Sequence, residues 1–277
     1  VTPPSDLPPA TDHQARPRVV ATDLDGTLLD STGSVSPRTR RALRLARAAG
    51  AEIVFVTARA PRGVEPIAEA AGVSGTAVCS NGAIVYDLAA REIVTRHDLH
   101  PEAAAHVIDV LAEALPGVAF AVETGTVVLA EPGYDVHHHD PRSRREVRSV
   151  RETAEPFVKL LAWSGRHSVD DMAAAAAEAV AGRAEVTHSG VGGLLEISAP
   201  GVTKAGTLAG FCAQRGVEPA EVAAFGDMPN DLAVLAFAGA GYAMANAHHL
   251  VLAAVERRTL SNDDHGVAVV LERLYGP

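Results

Sequence analysis

Two carboxylates two positions apart, Asp23 and Asp25, stand where an apolar run beginning at Arg18 gives way to Gly26. Such a run reads as a buried strand followed by a tight loop. In open α/β sheets, ligands bind in the crevice outside the carboxyl ends of the strands. Gly26 permits a sharp turn there, so both acids can face one crevice. Thr57 closes a second apolar stretch, IVFVT, and precedes Ala58-Arg59; a hydroxyl at a strand end can hold a phosphoryl oxygen. Lys204 starts a helix after Gly201 and is one of two lysines, with Lys159, against 22 arginines. That bias suits a place where a compact point charge is needed. Asp227 ends the stretch VAAFGD, and Asn230-Asp231 opens the next helix. Singly, each residue has an ordinary explanation: a turn for Asp25-Gly26 and Asp227, a turn hydroxyl for Thr57, a helix cap for Asn230.

The elements that must position these residues alternate along the chain. SPRTRRALRLARAAG predicts a helix with Ser36 as its cap, Pro37 in its first turn and Gly50 at its end. AEIVFVTAR reads as a strand, Pro61–Ala71 as a helix and GTAVCSNGA as a third strand. Near-continuous apolar strands alternating with helices imply a parallel sheet covered on both faces. The pattern changes after Asn81-Gly82. AIVYD and REIVTRHDL read as a hairpin, followed by helices over Pro101–Leu115 and Val169–Ala181 and by short strands. From Thr203 the alternation resumes. The expectation is an α/β, Rossmann-like core made of residues 18–83 and 197–277, interrupted by an α+β insert over 84–196. Residues 1–17, rich in proline and polar residues, read as a disordered leader without the apolar stretch of a secretory signal.

Composition narrows the function. The net charge is −10, of which the insert carries −8 and the rest of the chain, leader included, −2. That argues against a nucleic-acid or anionic-membrane surface, which needs clustered Lys and Arg. No apolar run approaches the length of a membrane span. Two cysteines, Cys79 and Cys212, cannot build a disulfide framework, which fits a reducing cytoplasm; both read as small buried hydrophobes.

Taken in order, the strand-end DxD, strand-end Thr, isolated Lys and strand-end GDxxND form a four-motif series. DLDGTLLDSTGSVSPRTRRAL, VTARA, SNGA, GVTKAGTL, GDMPNDLAVL, AGYAMANA and SNDDHGVA together resemble the Cof-type (HAD-IIB) branch of the haloacid dehalogenase superfamily of phosphohydrolases. Ala58 and Ala205 stand where that branch often has glycine. The resemblance implies a HAD core with a large cap between the second and third motifs. It implies Asp23 as the nucleophile that forms an aspartyl-phosphate, and Asp25 as the acid and base for the leaving alkoxide and the attacking water. Mg²⁺ would be held by the carboxylates of Asp23 and Asp227 and the backbone carbonyl of Asp25. Asn230 and Asp231 would orient metal waters or Lys204, while Thr57 and Lys204 would bind phosphoryl oxygens. A dehalogenase needs neither the second acid nor a metal, so the acids favour a phosphatase acting on a small phosphorylated metabolite, such as a sugar phosphate or an FMN-like monoester. A phosphomutase, or a phosphometabolite-binding protein without turnover, is the alternative. Arg59, Asn81 and Gly82 are candidate substrate contacts, with Asn81-Gly82 as the turn into the cap the other reading. Oligomeric state is not written in the sequence.

Two weaker signals lie in the insert. His137-His138-His139-Asp140 lacks the separated spacing of structural zinc sites and reads as a solvated loop. The arginines at 142, 144, 145, 148 and 151 read as a solvated helix face paired with Glu146 and Glu152, with a substrate-binding rim as the sharper alternative.

Overall fold

The computed structural model describes residues 16–135, 143–153, 156–180, 182–189 and 192–276. Most of the leader, the His137–Asp140 cluster and Arg142 lie outside these residues.

The first strand, β1 (Val19–Thr22), is followed by the Asp23–Leu29 loop and helix α1 (Pro37–Ala48). Ser36 caps α1 by accepting from Thr39 N at 3.1 Å, an interaction worth about 1 kcal/mol. Strand β2 (Glu52–Val56), helix α2 (Pro61–Ala71) and strand β3 (Thr76–Cys79) continue the alternation. Strands β4 (Ile84–Asp87) and β5 (Glu92–Arg96) form the expected hairpin. The next segment contains α3 (Pro101–Ala114), β6 (Ala119–Glu123), β7 (Val128–Ala130) and β8 (Arg144–Glu146). It ends with β9 (Lys159–Trp163), α4 (Val169–Ala179), β10 (Glu185–Thr187) and β11 (Leu194–Ser198). The chain closes through α5 (Lys204–Gln214), β12 (Val222–Gly226), α6 (Leu232–Phe237), β13 (Ala240–Ala243), α7 (His249–Ala254) and α8 (Gly266–Tyr275).

The strands build two sheets. The larger runs β13-β12-β1-β2-β3-β4-β5, parallel from β13 to β3; the smaller runs β10-β11-β9-β6-β7-β8. This is the α/β core with an inserted α+β unit. One expected boundary moves. The β4–β5 hairpin belongs to the large sheet, because β4 pairs antiparallel with β3 from Cys79↔Ile84 onward. Three consecutive residues with positive φ, Ser80 (51°), Asn81 (57°) and Gly82 (102°), fold the chain straight back, so it has no room to leave the sheet at residue 84. The alternation changes there, but the sheet does not end. At the other side, β11 carries the small sheet to Ser198, two residues beyond 196.

Each sheet has its own apolar cluster. Leu24, Leu43, Phe55 and Phe225 belong to the large one; Val107, Leu111, Phe120, Leu160 and Ile197 belong to the cluster between the small sheet and its helices. Among the described arginines of the run, Arg144 and Arg145 lie in the strand Arg144–Glu146, paired parallel with β7, and Arg151 lies in a single 3₁₀ turn, Val150–Glu152. Arg144 donates to Tyr134 O, Arg151 to Asp109, and Arg148 lies 3.4 Å from Glu152. Among the described residues, no helix is long and apolar enough to cross a membrane.

Candidate active site

Asp23 leaves β1 still extended (φ −67°, ψ 167°), with its amide donating to Phe225 O at 3.0 Å. Asp25 remains extended, and Gly26 then turns the chain at φ +71°. A Cβ at residue 26 would fall 2.3 Å from Asp227 Oδ2, so glycine is required both by the turn and by the approach of β12. Gly26→Ala is expected to push Asp227 aside, destabilising the fold by about 1–3 kcal/mol and weakening divalent-cation binding. Urea unfolding and calorimetric titration check the two effects; an unchanged affinity would count against the placement of Asp227 as a ligand.

Four of the anticipated residues meet at the carboxyl ends of β1 and β12. Thr203 caps α5 by accepting from Gly206 N, which sets Lys204 in the first turn. Lys204 Nζ, 3% exposed, donates to Asp23 Oδ1 at 2.9 Å and Asp231 Oδ1 at 2.8 Å. Asp231 Oδ2 accepts from the amides of Asp227 and Met228. Thr27 Oγ1 donates to Asp227 Oδ1 at 2.7 Å. Carboxylate oxygens of Asp23, Asp227 and Asp231 lie within 4.8 Å of one another.

The electrostatics are lopsided. Burial pushes the Asp23 carboxyl well above its usual range; Lys204 opposes this and the neighbouring acids add to it. Burial and then Asp231 push Asp227 up to about 7. Burial works against the Lys204 ammonium, yet Asp23 and Asp231 overcome it and raise its pKa. Asp231 has both oxygens committed to Lys204 and backbone amides, which suits a positioning role. Among the described residues, none donates a hydrogen bond to Asp23 Oδ2 or Asp227 Oδ2. Two unfilled hard oxygens inside an excess of buried negative charge fit a hard divalent cation such as Mg²⁺.

A cavity of about 400 Å³ lies above these acids, bounded by Asp23, Asp25, Thr57, Arg59, Lys204 and Asn230 below. Arg59 clamps both Asp25 oxygens, at 2.7 and 2.6 Å. Asn81 and Gly82 do not line this cavity. Asn81 donates to Thr187 Oγ1 and accepts from Asn230 Nδ2, each at 3.2 Å. A Cβ at Gly82 would sit 2.3 Å from Thr203 O, and Gly82 O accepts from Thr207 Oγ1. The turn therefore seats the start of α5, where Lys204 stands. Cys79 and Cys212 are buried, and burial raises both thiols.

Several participants had gone unread. Asn246 Nδ2 donates to Gly26 O at 2.8 Å, steadying the turn. From the small sheet and α2, Glu123, Lys159, Glu196 and Arg62 line the cavity. Lys159 carried a signal: it is the other of the two lysines, and like Lys204 it is buried.

Comparison with known proteins gives a consistent answer. The sequence profile described as haloacid dehalogenase-like hydrolase matches residues 20–271. The chain is 28% identical to the pyridoxal phosphate phosphatase YbhA of Escherichia coli, over 85% of this chain and 90% of that one. It is 27% identical to the phosphatase YwpJ of Bacillus subtilis, over 93% and 99%. Among solved structures, SMU.1108c from Streptococcus mutans superposes with a TM-score of 0.82 at 26% identity, covering 92% of this chain and 98% of that one.

Proposed function

The chain belongs to the haloacid dehalogenase-like hydrolases and is a phosphoric monoester hydrolase, and from that premise we propose that it hydrolyses a small phosphorylated metabolite through an aspartyl-phosphate on Asp23, with Mg²⁺ bound beside it. The observation that carries this reading is the approach of Asp23, Asp227 and Asp231 around a buried lysine. Asp23 and Asp227 would hold the cation through side-chain oxygens, and Asp25 through its backbone carbonyl. When bound, Mg²⁺ supplies positive charge that lets a dianionic ester approach the acids.

The protein groups divide the remaining work. Lys204 holds Asp23 Oδ1 and, with Asp231 fixing its position, directs the carboxylate toward the phosphorus. Thr57 Oγ1, which already accepts from Arg59 N at 3.2 Å, would donate to a phosphoryl oxygen. Asp25 would protonate the leaving oxygen and then take a proton from the attacking water. Its two oxygens are held by Arg59, so the guanidinium must first let go; an incoming phosphate dianion competes for the same donor. The roof of the small sheet would exclude water during the first step.

Release of inorganic phosphate from p-nitrophenyl phosphate, dependent on added Mg²⁺ and lost in excess chelator, tests the proposal. Full turnover after exhaustive chelation would refute the metal site. Isomer formation without phosphate release would point to a phosphomutase instead. The metal-free enzyme should also bind Mg²⁺ with an affinity that falls at least about tenfold per pH unit below pH 7, because Asp227, and with it the raised Asp23 carboxyl, must lose its proton to ligate. Calorimetric titrations between pH 5.5 and 8 check this; a flat affinity would refute it. The sign for folding is the reverse. A carboxyl raised to about 7 stabilises the metal-free fold fully below its unfolded value of about 3.9, and that contribution is lost as pH rises through 7.

A further inference from the structure

Asn81 makes more contacts than its turn requires. Its φ of 57° is left-handed, a conformation that asparagine tolerates better than most side chains. Its backbone amide donates to Thr57 O at 3.0 Å, which pins the main chain to the strand end below the cavity. The residue is 2% exposed, and both ends of its side chain are engaged. Asn230 Nδ2, from the loop after β12, donates to Asn81 Oδ1 at 3.2 Å. Asn81 Nδ2 donates to Thr187 Oγ1 at 3.2 Å, at the end of β10. Thr187 Oγ1 in turn donates to Glu196 O at 3.3 Å, on β11. Thr187 and Glu196 are paired across the two strands, and Asn81 also hydrogen-bonds the Glu196 side chain.

These bonds form a chain that runs one way only. Glu196 O is a carbonyl and can only accept. The Thr187 proton is committed to it, so Thr187 accepts from Asn81. Burial would raise the Glu196 carboxyl, but Lys159 overcomes this and holds it below its usual range, so the carboxylate too only accepts. Turning the Asn81 amide over would set its oxygen against both acceptors. Its Nδ2 therefore serves the small sheet and its Oδ1 serves Asn230. That fixes the Asn230 amide as well, whose own oxygen is buried without a donor among the described residues. An unpaired buried acceptor costs free energy, so the chain, and not a contact of Asn230 Oδ1, sets this orientation.

What the chain joins gives it a use. Asn230 stands beside Asp231, which holds Lys204 and accepts from the amides of Asp227 and Met228. The loop that carries Asp227 and Asp231 is thus tied to Lys204 at one point and, through Asn81, to the small sheet at another. Arg62–Glu123 and Lys159–Ala58 O also join the small sheet to the core, but they end on α2 and beside Thr57. The Asn81 chain ends on the loop proposed to bind the metal.

Resting on the metal placement proposed above, we infer that Asn81 is a positioning residue that couples the seating of the small sheet to the divalent-ion site. With Thr187 in place, Asn81 holds the Asn230–Asp231 end of the loop in the arrangement that receives the ion. When β10 moves away, that hold is released and the ion is bound less tightly. The coupling is reciprocal: a tie that favours the ion is itself favoured by the bound ion.

Calorimetric titration with Mg²⁺ at pH 8 and hydrogen exchange read by mass spectrometry, both without substrate, test the coupling. Asn81→Gly removes the side chain and still suits a φ of 57°. It is expected to weaken Mg²⁺ binding at least about tenfold, the usual effect of losing a group that orients metal ligands. Thr187 does not line the cavity, yet Thr187→Val, which removes only the hydroxyl, is expected to weaken Mg²⁺ binding at least about fivefold. Thr187→Ser keeps the hydroxyl and is expected to bind as the wild type does. In the wild type, Mg²⁺ is expected to slow exchange of the β10 and β11 amides at least about fivefold, and in Asn81→Gly this protection is expected to vanish. Unchanged Mg²⁺ affinity in either Asn81→Gly or Thr187→Val would overturn the inference. A loss in Thr187→Ser equal to that in Thr187→Val would trace the effect to packing and overturn it too. So would exchange in β10 and β11 that ignores Mg²⁺ in the wild type, a result that needs no variant and decides even where Asn81→Gly fails to fold. A wild type that binds no Mg²⁺ at all would overturn the metal placement itself, and the inference with it.

Discussion

Asp23→Asn is expected to lower kcat by at least about 10⁴-fold while leaving the metal-free protein as resistant to heat as the wild type, or more so. The first half follows from the proposed role: an amide cannot form the covalent intermediate. The second follows from the surroundings. Asp23 is buried beside Asp227 and Asp231, and its carboxyl is raised well above the usual range. A raised carboxyl contributes stability below its unfolded pKa and loses that contribution as pH rises through the folded value. At neutral pH the ionised group is therefore a burden on the fold, and a neutral isostere relieves it. Phosphate release and melting curves in chelator at pH 7 give both numbers. Retained turnover, with deamidation excluded by mass spectrometry, would sink the nucleophile assignment; a sharp fall in melting temperature would sink the electrostatic one.

Lys204→Met is expected to abolish turnover as well, but to destabilise the protein by about 3–5 kcal/mol. The ammonium is the shared partner of two buried carboxylates, at 2.9 and 2.8 Å. Removing it leaves both unpaired in a medium that solvates them poorly. The pKa of Lys204 is raised, so its contribution is fully present below about 10.4 and disappears only as pH climbs through the folded value. Urea unfolding at pH 7 measures the loss. The double variant Asp23→Asn, Lys204→Met should lose less than the sum of the singles, because each acts through the same pair. Strict additivity would mean that the two side chains do not share the interaction.

Much of the floor of the site was legible from the sequence because it is local. Asp23, Thr57 and Asp227 each end an apolar strand, and parallel topology brings strand ends together at one rim. Lys204 was legible from its rarity and its place at a helix start. Asn81 and Gly82 follow a strand end, as Thr57 does, which leaves a substrate contact and a turn both open in the sequence. Their positive φ values make a turn that folds β4 back onto β3 and supports α5. The roof was not legible. Glu123, Lys159 and Glu196 sit inside strands whose alternation announces two faces but not what either face will meet. Arg62 becomes part of the site only because the small sheet lies over α2, a long-range packing event that no local pattern encodes. The hairpin misled for a related reason: a change in the order of elements does not mark the edge of a sheet when a tight turn lets the next strand pair at once.

The apolar clusters among the described residues, one of the large sheet and one on each face of the small sheet, have an evolutionary consequence. Side chains that touch the reacting atoms and side chains that face the rest of the ligand are inherited through separate foldons. Drift at positions 123, 159 and 196 can change which alcohol is released without disturbing the intervening residues that knit the small sheet to its helices, and without touching the acids below. Such a scaffold can diverge into many specificities by exchanging a handful of alternate strand positions, while the reaction it performs stays fixed.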